Sequence, residues 1–418
     1  MSPDSQENST LRSVLRAPVT GLRALAGLAG LLSLRERRWR PPAGNEPAEE
    51  LANYRALRDA LAQARPPHTA PLLTIDDLRA QPDPARLAGS RQFVADYEPF
   101  IDGVREAARR RCRQPRQDGP AETESELGAL MGTTVARSVY TQQSLVAWAD
   151  SDWPGAVEPL FNALQLGVAT ATGDTRQMMA WAMAVVSAAD LARLAPHLDA
   201  PTAAAAARRL ETVVDTEFSL AATLRRSLTE DAATLAGLFW FGKYGGFPQC
   251  LLLPSPAERY RRAVAWLSAV ADQADAPRDQ WRIPGAEALD WLGDHLDLSV
   301  RRIERLLLDV ATLRVALADV AVNAYRAAHG YLPPSLEALV PEFLTRVPAD
   351  AYTAAPLRYR RDGEDFVCWS IGPDLVDDGG VPMVWPDGWL PNDPPLPLAE
   401  CRGDVVSIAA RERAPAQE

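Results

Sequence analysis

A long amphipathic helix near residue 300 constrains the fold more than any other feature of the sequence. Over 298–329, apolar residues recur at alternating steps of three and four, which predicts a helix with one continuous apolar stripe. The stripe consists of Ile303, Leu306, Val310, Leu313, Leu317, Val320 and Ala324. Gly330 favours the end of this helix, and Pro333-Pro334 prevents its resumption. We expect the stripe to be buried against the segments on either side of it.

Upstream of this helix, the apolar spacing is also mainly helical. Breaks that contain proline or glycine separate the periodic stretches. The predicted helices are 53–64, 99–111, 122–150, 155–172, 176–195, 201–228 and 258–273. Short connections between helices of this length favour antiparallel neighbours. We therefore expect an α-helical body over 46–297, either as a helical bundle or as a stack of helical hairpins.

Downstream of the helix, the pattern changes to short strands and turns. A short helix capped by Ser335 is predicted, and Asp362-Gly363 predicts a tight turn. Short runs rich in apolar and aromatic residues predict strands over 357–361, 366–371 and 404–408. The sequence thus predicts a mainly α fold with a small C-terminal α+β module over 298–408, followed by a tail over 409–418.

The composition excludes some functional classes. The chain has 418 residues, enough for two or three domains, with 44 Lys+Arg against 55 Asp+Glu and a net charge of −11. A basic nucleic-acid-binding protein has the opposite balance, so we expect no nucleic acid as a partner. No apolar run is long enough for a polytopic membrane protein. The four cysteines form no CxxC pair, which argues against zinc-ribbon or thioredoxin-like chemistry.

Residues 1–45 form a basic N-terminal segment with a short apolar stretch. The uncharged part, 24–34, has arginines on both sides and is shorter than the roughly 20 residues that a membrane span requires. This pattern allows three interpretations: a weak signal anchor, a helix at a membrane surface, and a soluble helix packed on the body. The first two imply membrane contact through residues 11–40.

An aromatic segment interrupts the helical pattern within 235–254. Its aromatic side chains lie among glycines and are Phe239, Trp240, Phe241, Tyr244 and Phe247. Such a segment can line an apolar groove for a peptide or a lipid. It can equally be a buried crossing between helices, with the aromatic rings in the core.

Candidate catalytic groups are sparse. Glu287, Asp290 and Asp294, with the neighbouring His295, lie at helical spacing and could share one face. That arrangement suits a metal or acid–base site, and it is also typical of a solvated helix face. The sequence contains no G-x-S-x-G, no H-E-x-x-H and no glycine-rich phosphate loop after a strand. We assign no catalytic residue from the sequence.

The C-terminal quarter carries a resemblance to a known family. The segments concerned occur in a fixed order and are 324–333, 335–340, 347–350, 356–359, 369–374, 377–380 and 403–405. Together they resemble the head domain of the major pseudopilins of type II secretion systems. The chain lacks the prepilin-peptidase site and the N-terminal hydrophobic helix of a pseudopilin, so the resemblance implies the head fold and not the pilus function.

The whole chain also resembles a group of large bacterial proteins that carry a helical body ahead of this module. The residues that carry this second resemblance are Arg111-Cys112-Arg113-Gln114-Pro115.

The pseudopilin resemblance implies a calcium site. The matching residues are Asp374, Asp377 and Asp378, with Asp404 less securely aligned. Clustered carboxylates suit a hard cation, whereas the alternative is an acidic surface turn. Leu375-Val376 stands where the family usually has glycine and polar residues.

The same resemblance brings two cysteines near each other. In the resembled fold, the segments that hold Cys368 and Cys401 are neighbours in one small sheet, so a disulfide between them is feasible. The alternative is two unpaired buried thiols, as in a cytosolic protein.

Two classes of function follow from these features. The first is a non-enzymatic, inner-membrane-associated envelope protein, which either binds a protein, peptide or polysaccharide partner or has a structural role. The second is a hydrolase or other enzyme with a site in the helical body, near Glu287–His295 or the aromatic segment. A cytoplasmic location is the alternative to the envelope.

Overall fold

The structure is a computed structural model that describes residues 48–64, 71–110, 112, 123–170, 174–225, 228, 232, 255–282, 294–384 and 401–407. Its longer helices are α1 (Ala48–Leu61), α2 (Pro84–Ala108), α3 (Thr123–Ala149), α4 (Trp153–Thr170), α5 (Asp174–Leu194), α6 (Ala200–Glu217), α7 (Pro256–Gln273) and α8 (Asp294–His329). The strands are β1 (Arg358–Asp362), β2 (Asp365–Ser370) and β3 (Val405–Val406). The mainly α fold with a small α+β module is therefore confirmed.

Short polar residues followed by proline set the starts of three helices. The side chains of Asp83 and Asp199 accept hydrogen bonds from backbone N–H groups in the first turns of α2 and α6, at 2.9 Å each. Ser255 does the same for α7 at 3.2 Å. Each cap is followed within two residues by a proline, which lacks the N–H that a first turn leaves unbonded.

The helices α1 to α5 pack as consecutive neighbours, and a glycine brings two of them close. A Cβ atom at Gly132 of α3 would lie 2.0 Å from the carbonyl oxygen of Leu61 in α1. The absence of a side chain therefore allows the two backbones to touch. Apolar residues of α1 to α5 form one core cluster, which includes Leu57, Ile101 and Tyr140.

Helix α8 is central to the molecule. It packs against α5 and α6 of the body and against β2 and β3 of the module. Its predicted stripe is buried, and so are residues off the stripe, such as Val315 and Val322, at 2% and 0% exposure. The sequence pattern predicted one apolar face, but the helix is covered almost all round between 306 and 325. The larger core cluster runs without interruption from α4–α7 through α8 into the module.

The end of α8 follows the prediction. Gly330 adopts φ +78°, a left-handed conformation that glycine accepts at no steric cost, and its N–H donates to the carbonyl oxygen of Arg326 at 2.8 Å. A short 3₁₀ helix (Leu336–Leu339) comes next, as predicted, but the predicted cap is absent because the Ser335 side chain makes no capping hydrogen bond to it.

The module contains an antiparallel sheet of order β1-β2-β3 among the described residues. Arg360 pairs with Val367, Trp369 pairs with Val406, and Gly363 forms the hairpin turn with φ +63°. All three strands lie within two residues of the predicted ones. One face of β2 joins the main core, and the other holds Val367 and Trp369 in a small separate cluster.

Two helix boundaries in the body differ from the prediction. Helix α2 begins at Pro84, and Pro99, expected at a helix start, lies inside it. Pro99 is exposed, so the backbone carbonyl that it leaves unbonded can be solvated. The predicted helix over 201–228 is interrupted after Glu217, where Phe218 leaves the helical region with ψ +29°. None of the described helices is both long and apolar enough to cross a membrane.

Candidate functional site

A cleft of about 390 Å³ lies between the helical body and the C-terminal module. We call it the interface cleft. It is lined by Glu211, Asp215, Ser219, Ala274, Asp275, Arg314, Leu317, residues 346–351 and Ala354. Helix α6 and the end of α7 supply one wall, α8 supplies the floor, and the 346–354 loop of the module supplies the other wall.

Glu211 of α6 forms hydrogen bonds to the module. Its carboxylate is 5% exposed and accepts hydrogen bonds from the N–H of Thr345 at 2.9 Å, from the Thr345 hydroxyl at 2.8 Å and from the N–H of Arg346 at 3.3 Å. A buried carboxylate needs such donors to offset its lost hydration. These bonds hold the wall of the cleft in place.

The next charged pair is one turn further along α6. Asp215 forms an ion pair with Arg346 at 2.8 Å, and the Arg346 side chain is 69% exposed. The side chain of Arg208, one turn before Glu211, donates to the carbonyl oxygen of Glu342 at 3.2 Å. Three positions on one face of α6 therefore contact the module.

Asp350 organises the module beneath the cleft. Its carboxylate is completely buried and accepts hydrogen bonds from the N–H of Tyr352 at 2.8 Å, the hydroxyl of Ser370 at 2.9 Å and the N–H of Ile371 at 3.0 Å. It also forms an ion pair with Arg358 at 3.1 Å. These contacts tie the 346–354 loop to β1 and β2.

Arg314 is the charged residue on the floor of the cleft. Its Nη1 donates to the carbonyl oxygen of Ala349 at 3.1 Å. Burial lowers the pKa of Arg314 below its ordinary value, and the nearby Asp215 and Asp275 act in the opposite direction. The guanidinium of Arg314 is thus partly desolvated and lies near two carboxylates.

Among the described residues that line the interface cleft there is no histidine, cysteine or lysine. The hydroxyl of Ser219 accepts a hydrogen bond from the N–H of Ala222 at 3.4 Å, which caps the next helical segment. The described walls of the cleft present charged side chains and backbone polar groups in fixed positions. Such groups can bind and orient a ligand.

A second cleft, of about 360 Å³, lies on another side of the junction and includes His197, Asp319, Asn323, Arg326 and Phe366. Burial and the nearby Arg326 lower the pKa of His197, so its imidazole is neutral at neutral pH. Arg326 donates to the side-chain oxygen of Asn323 at 2.7 Å.

Two of the four predicted calcium ligands have structural partners. Asp377 accepts from Arg358 at 2.6 Å and from the indole N–H of Trp369 at 2.9 Å. Although partial burial acts against it, these hydrogen bonds and one from Gly379 lower the pKa of Asp377. Asp404 is buried and accepts from the N–H of Gly380 at 2.7 Å.

The remaining aspartates do not complete a coordination shell. One oxygen of Asp374 accepts from the N–H of Val376 at 3.2 Å, while the other is buried without a hydrogen bond. Asp378 is exposed, and its N–H donates to Asp404 at 3.4 Å. No group of three or more metal-ligating side chains converges among the described residues. Calcium binding therefore stays a prediction from the resemblance.

Burial raises the pKa of Asp404 to about 6, and the nearby Asp377 and Asp378 act in the same direction. The loop therefore concentrates negative charge that its own N–H groups offset only in part.

Cys368 and Cys401 are both completely buried and belong to the main core cluster. Neither is disulfide-bonded in the structure. Burial raises the pKa of the Cys368 thiol well above its ordinary value, which keeps it protonated. The predicted neighbourhood of their strands is present, since the N–H of Ser407 donates to the carbonyl oxygen of Cys368 at 2.8 Å.

Several predicted sites lie outside the described residues. These are Phe239, Trp240, Phe241, Tyr244, Phe247, Glu287, Asp290 and the N-terminal segment 11–40. Asp294 and His295 lie in the first turn of α8, where the structure describes the backbone only.

Comparison with family models, with curated proteins and with solved structures finds no match for this chain. The resemblance to pseudopilin head domains therefore remains a prediction.

Sequence reasoning missed the residues of the interface cleft. Glu211 and Asp215 lie in α6 and Asp275 follows α7, and their convergence with residue 346 depends on packing across 71 to 135 positions of the sequence. Arg314 offered a signal, because it stands between two apolar residues, Leu313 and Val315, in a long amphipathic helix. A charge at such a position indicates a polar surrounding inside the fold.

Proposed function

We propose that this chain is a non-catalytic binding protein of the cell envelope that holds a partner or cargo in the interface cleft. The observation that carries this proposal is the cleft itself: a preformed cavity whose walls come from both the body and the module and whose wall positions are fixed by Glu211 and Asp350. Cavities of this size at the junction of two parts of a fold are common ligand sites.

The envelope part of the proposal rests on the sequence. The basic N-terminal segment 1–45 and the resemblance of 300–408 to secretion pseudopilins both favour association with the inner membrane. Fractionation of cells that express the full chain tests this part, and recovery wholly in the cytosol would contradict it.

The binding part is tested by photo-crosslinking from the rim of the cleft. Ala354 is exposed, lines the cleft and already holds φ +56° with a Cβ, so p-benzoyl-phenylalanine at this position adds no new backbone restriction. The matched control carries the same residue at Ala95, which is exposed on α2.

We expect an adduct from position 354, in cells that produce the full chain, that does not form from position 95. Both variants must melt at the wild-type temperature. Identical adducts from the two positions, or an adduct from neither, would contradict the proposal.

A further inference from the structure

Most charged groups around the interface cleft are committed to the scaffold. Glu211 accepts three backbone or hydroxyl donors of the module, Asp215 pairs with Arg346, and Asp350 pairs with Arg358. These groups shape the cavity, and their hydrogen-bonding capacity is largely used.

Arg314 is different. A guanidinium carries five N–H donors, and the described contacts of Arg314 comprise one hydrogen bond, to the carbonyl oxygen of Ala349. Within the described part of the chain, no carboxylate oxygen lies within the 4.0 Å of a salt bridge to it. A partly buried guanidinium that faces a cavity in this state has donors available for an incoming anionic group.

Asp275 is the complementary group. It follows α7, lines the same cleft and is exposed, and the described residues place no arginine or lysine nitrogen within 4.0 Å of its carboxylate. It lies near enough to raise the pKa of Arg314 through its charge, yet the two side chains do not form an ion pair. The cleft therefore presents one cation and one anion that line the same cavity without forming an ion pair.

We propose that the interface cleft binds a small zwitterion of the amino acid or dipeptide class, with its carboxylate on Arg314 and its ammonium group on Asp275. This inference rests on the proposed binding function and names the ligand class of the same site. The cavity of about 390 Å³ has room for a ligand of that size. The planar guanidinium matches a carboxylate through two parallel hydrogen bonds, which makes this end of the ligand the more specific one.

The test uses three related probes, two variants of the full chain that alter the cleft, and one control variant. The probes are alanyl-alanine, its N-acetyl derivative, which lacks the ammonium group, and its C-terminal amide, which lacks the carboxylate. The variants are Arg314→Gln and Asp275→Asn, each of which removes one charge and keeps a polar side chain. Binding is measured by isothermal titration calorimetry at constant ionic strength.

For the wild-type chain, we expect alanyl-alanine to bind about 10- to 100-fold more tightly than either derivative, since each derivative loses one charge-assisted contact. Arg314→Gln should remove the advantage of the carboxylate while it retains the advantage of the ammonium group. Asp275→Asn should do the reverse. Arg360→Gln, at an exposed position on β1, is the control that should leave all three affinities unchanged.

Equal affinity for the three probes, unchanged binding in Arg314→Gln, or no saturable binding of alanyl-alanine would overturn the inference. The crosslink from position 354 separates this failure from that of the proposed function. An adduct from position 354 without binding of the dipeptide would leave a binding protein whose ligand is of another class. Loss of both results would remove both proposals.

Discussion

At the scale of single residues, the buried carboxylates differ in their effect on stability. Some stabilise the fold because they accept several hydrogen bonds, whereas others reduce its stability because their charge is desolvated. Asp350 belongs to the first group, because three neutral donors and Arg358 surround it. Asp309 belongs to the second group. It is 4% exposed in the middle of α8, and burial raises its pKa to about 6 even though Arg305 lies 3.0 Å away.

Replacement of Asp350 should be among the most damaging single changes in the module. Asp350→Ala leaves the buried donors of Tyr352, Ser370 and Ile371 without an acceptor and removes one partner of Arg358, so we expect a loss of about 3–5 kcal/mol in the free energy of unfolding. Urea denaturation measures this loss. Asp362→Ala, at an exposed position of the β1–β2 turn, should change stability by less than about 0.5 kcal/mol. Similar values for the two variants would show that the Asp350 contacts contribute nothing to the stability of the fold.

Replacement of Asp309 should have the opposite sign and should depend on pH. Because the folded-state pKa of this carboxyl is raised, its protonated form stabilises the fold below about pH 4, and this contribution is lost as the pH rises through about 6. Asp309→Asn removes the charge and keeps an acceptor for Arg305. We expect the variant to exceed the wild type in unfolding free energy at pH 7.5, by at most about 3 kcal/mol.

The Asp309→Asn difference should shrink toward zero at pH 4. Urea denaturation at the two pH values checks this, with Asp362→Asn as the exposed control. Comparison of each variant with the wild type at the same pH cancels the other titrating groups. A difference that does not change with pH would show that folding does not raise the pKa of Asp309.

At the scale of elements, α8 shows where sequence reasoning succeeds and where it stops. The alternating steps of three and four located the helix and its stripe, and Gly330 located its end. The pattern could not show that the opposite face is also buried. Alanines and valines on that face, such as Val315 and Val322, are small enough to suit either solvent or a helix contact, so only the packing of α5, α6 and the sheet decides between them.

The burial of both faces gives a direct test. Leu313 lies on the predicted stripe and Val315 lies off it, and their exposed fractions are 0% and 2%. We expect Leu313→Asp and Val315→Asp to cost several kcal/mol each, because both place a charge in the core. Ala327→Asp, on the exposed last turn, should cost less than about 1 kcal/mol. Thermal and urea denaturation of the three variants checks the order. If Val315→Asp melts like the wild type, the off-stripe face is exposed in solution.

The same limit applies to the site. The strands and the order of the C-terminal segments were predictable because they depend on local periodicity and turn residues. The partners of Asp377 were not, since a carboxylate that accepts from an arginine and an indole has the same sequence signature as one that binds a cation. Asp275 and Arg314, which are 39 positions apart, line the same cleft only because of how the chain packs around the module.

At the scale of the whole molecule, the uninterrupted core cluster makes the body and the module one stability unit. We expect native-state hydrogen exchange, measured by mass spectrometry, to give similar opening free energies for peptides from α6 and from β2. Helix α1 belongs to the smaller core cluster and its first residues are exposed, so we expect it to open at a lower free energy than α6 or β2. An opening free energy for β2 that is several kcal/mol below that of α6 would show that the module unfolds independently.

The hydrogen bonds between Glu211 of α6 and the module have a consequence for synthesis of the chain. The donors that satisfy this carboxylate lie 134 and 135 residues further on, in the module. During translation, the α6 surface therefore emerges from the ribosome long before its partner exists, and its apolar residues stay uncovered while α8 is being made. Such high contact order slows folding and favours protection of the nascent chain by chaperones. A chain that terminates before residue 345 would contain the body without the part of the module that binds Glu211 of α6.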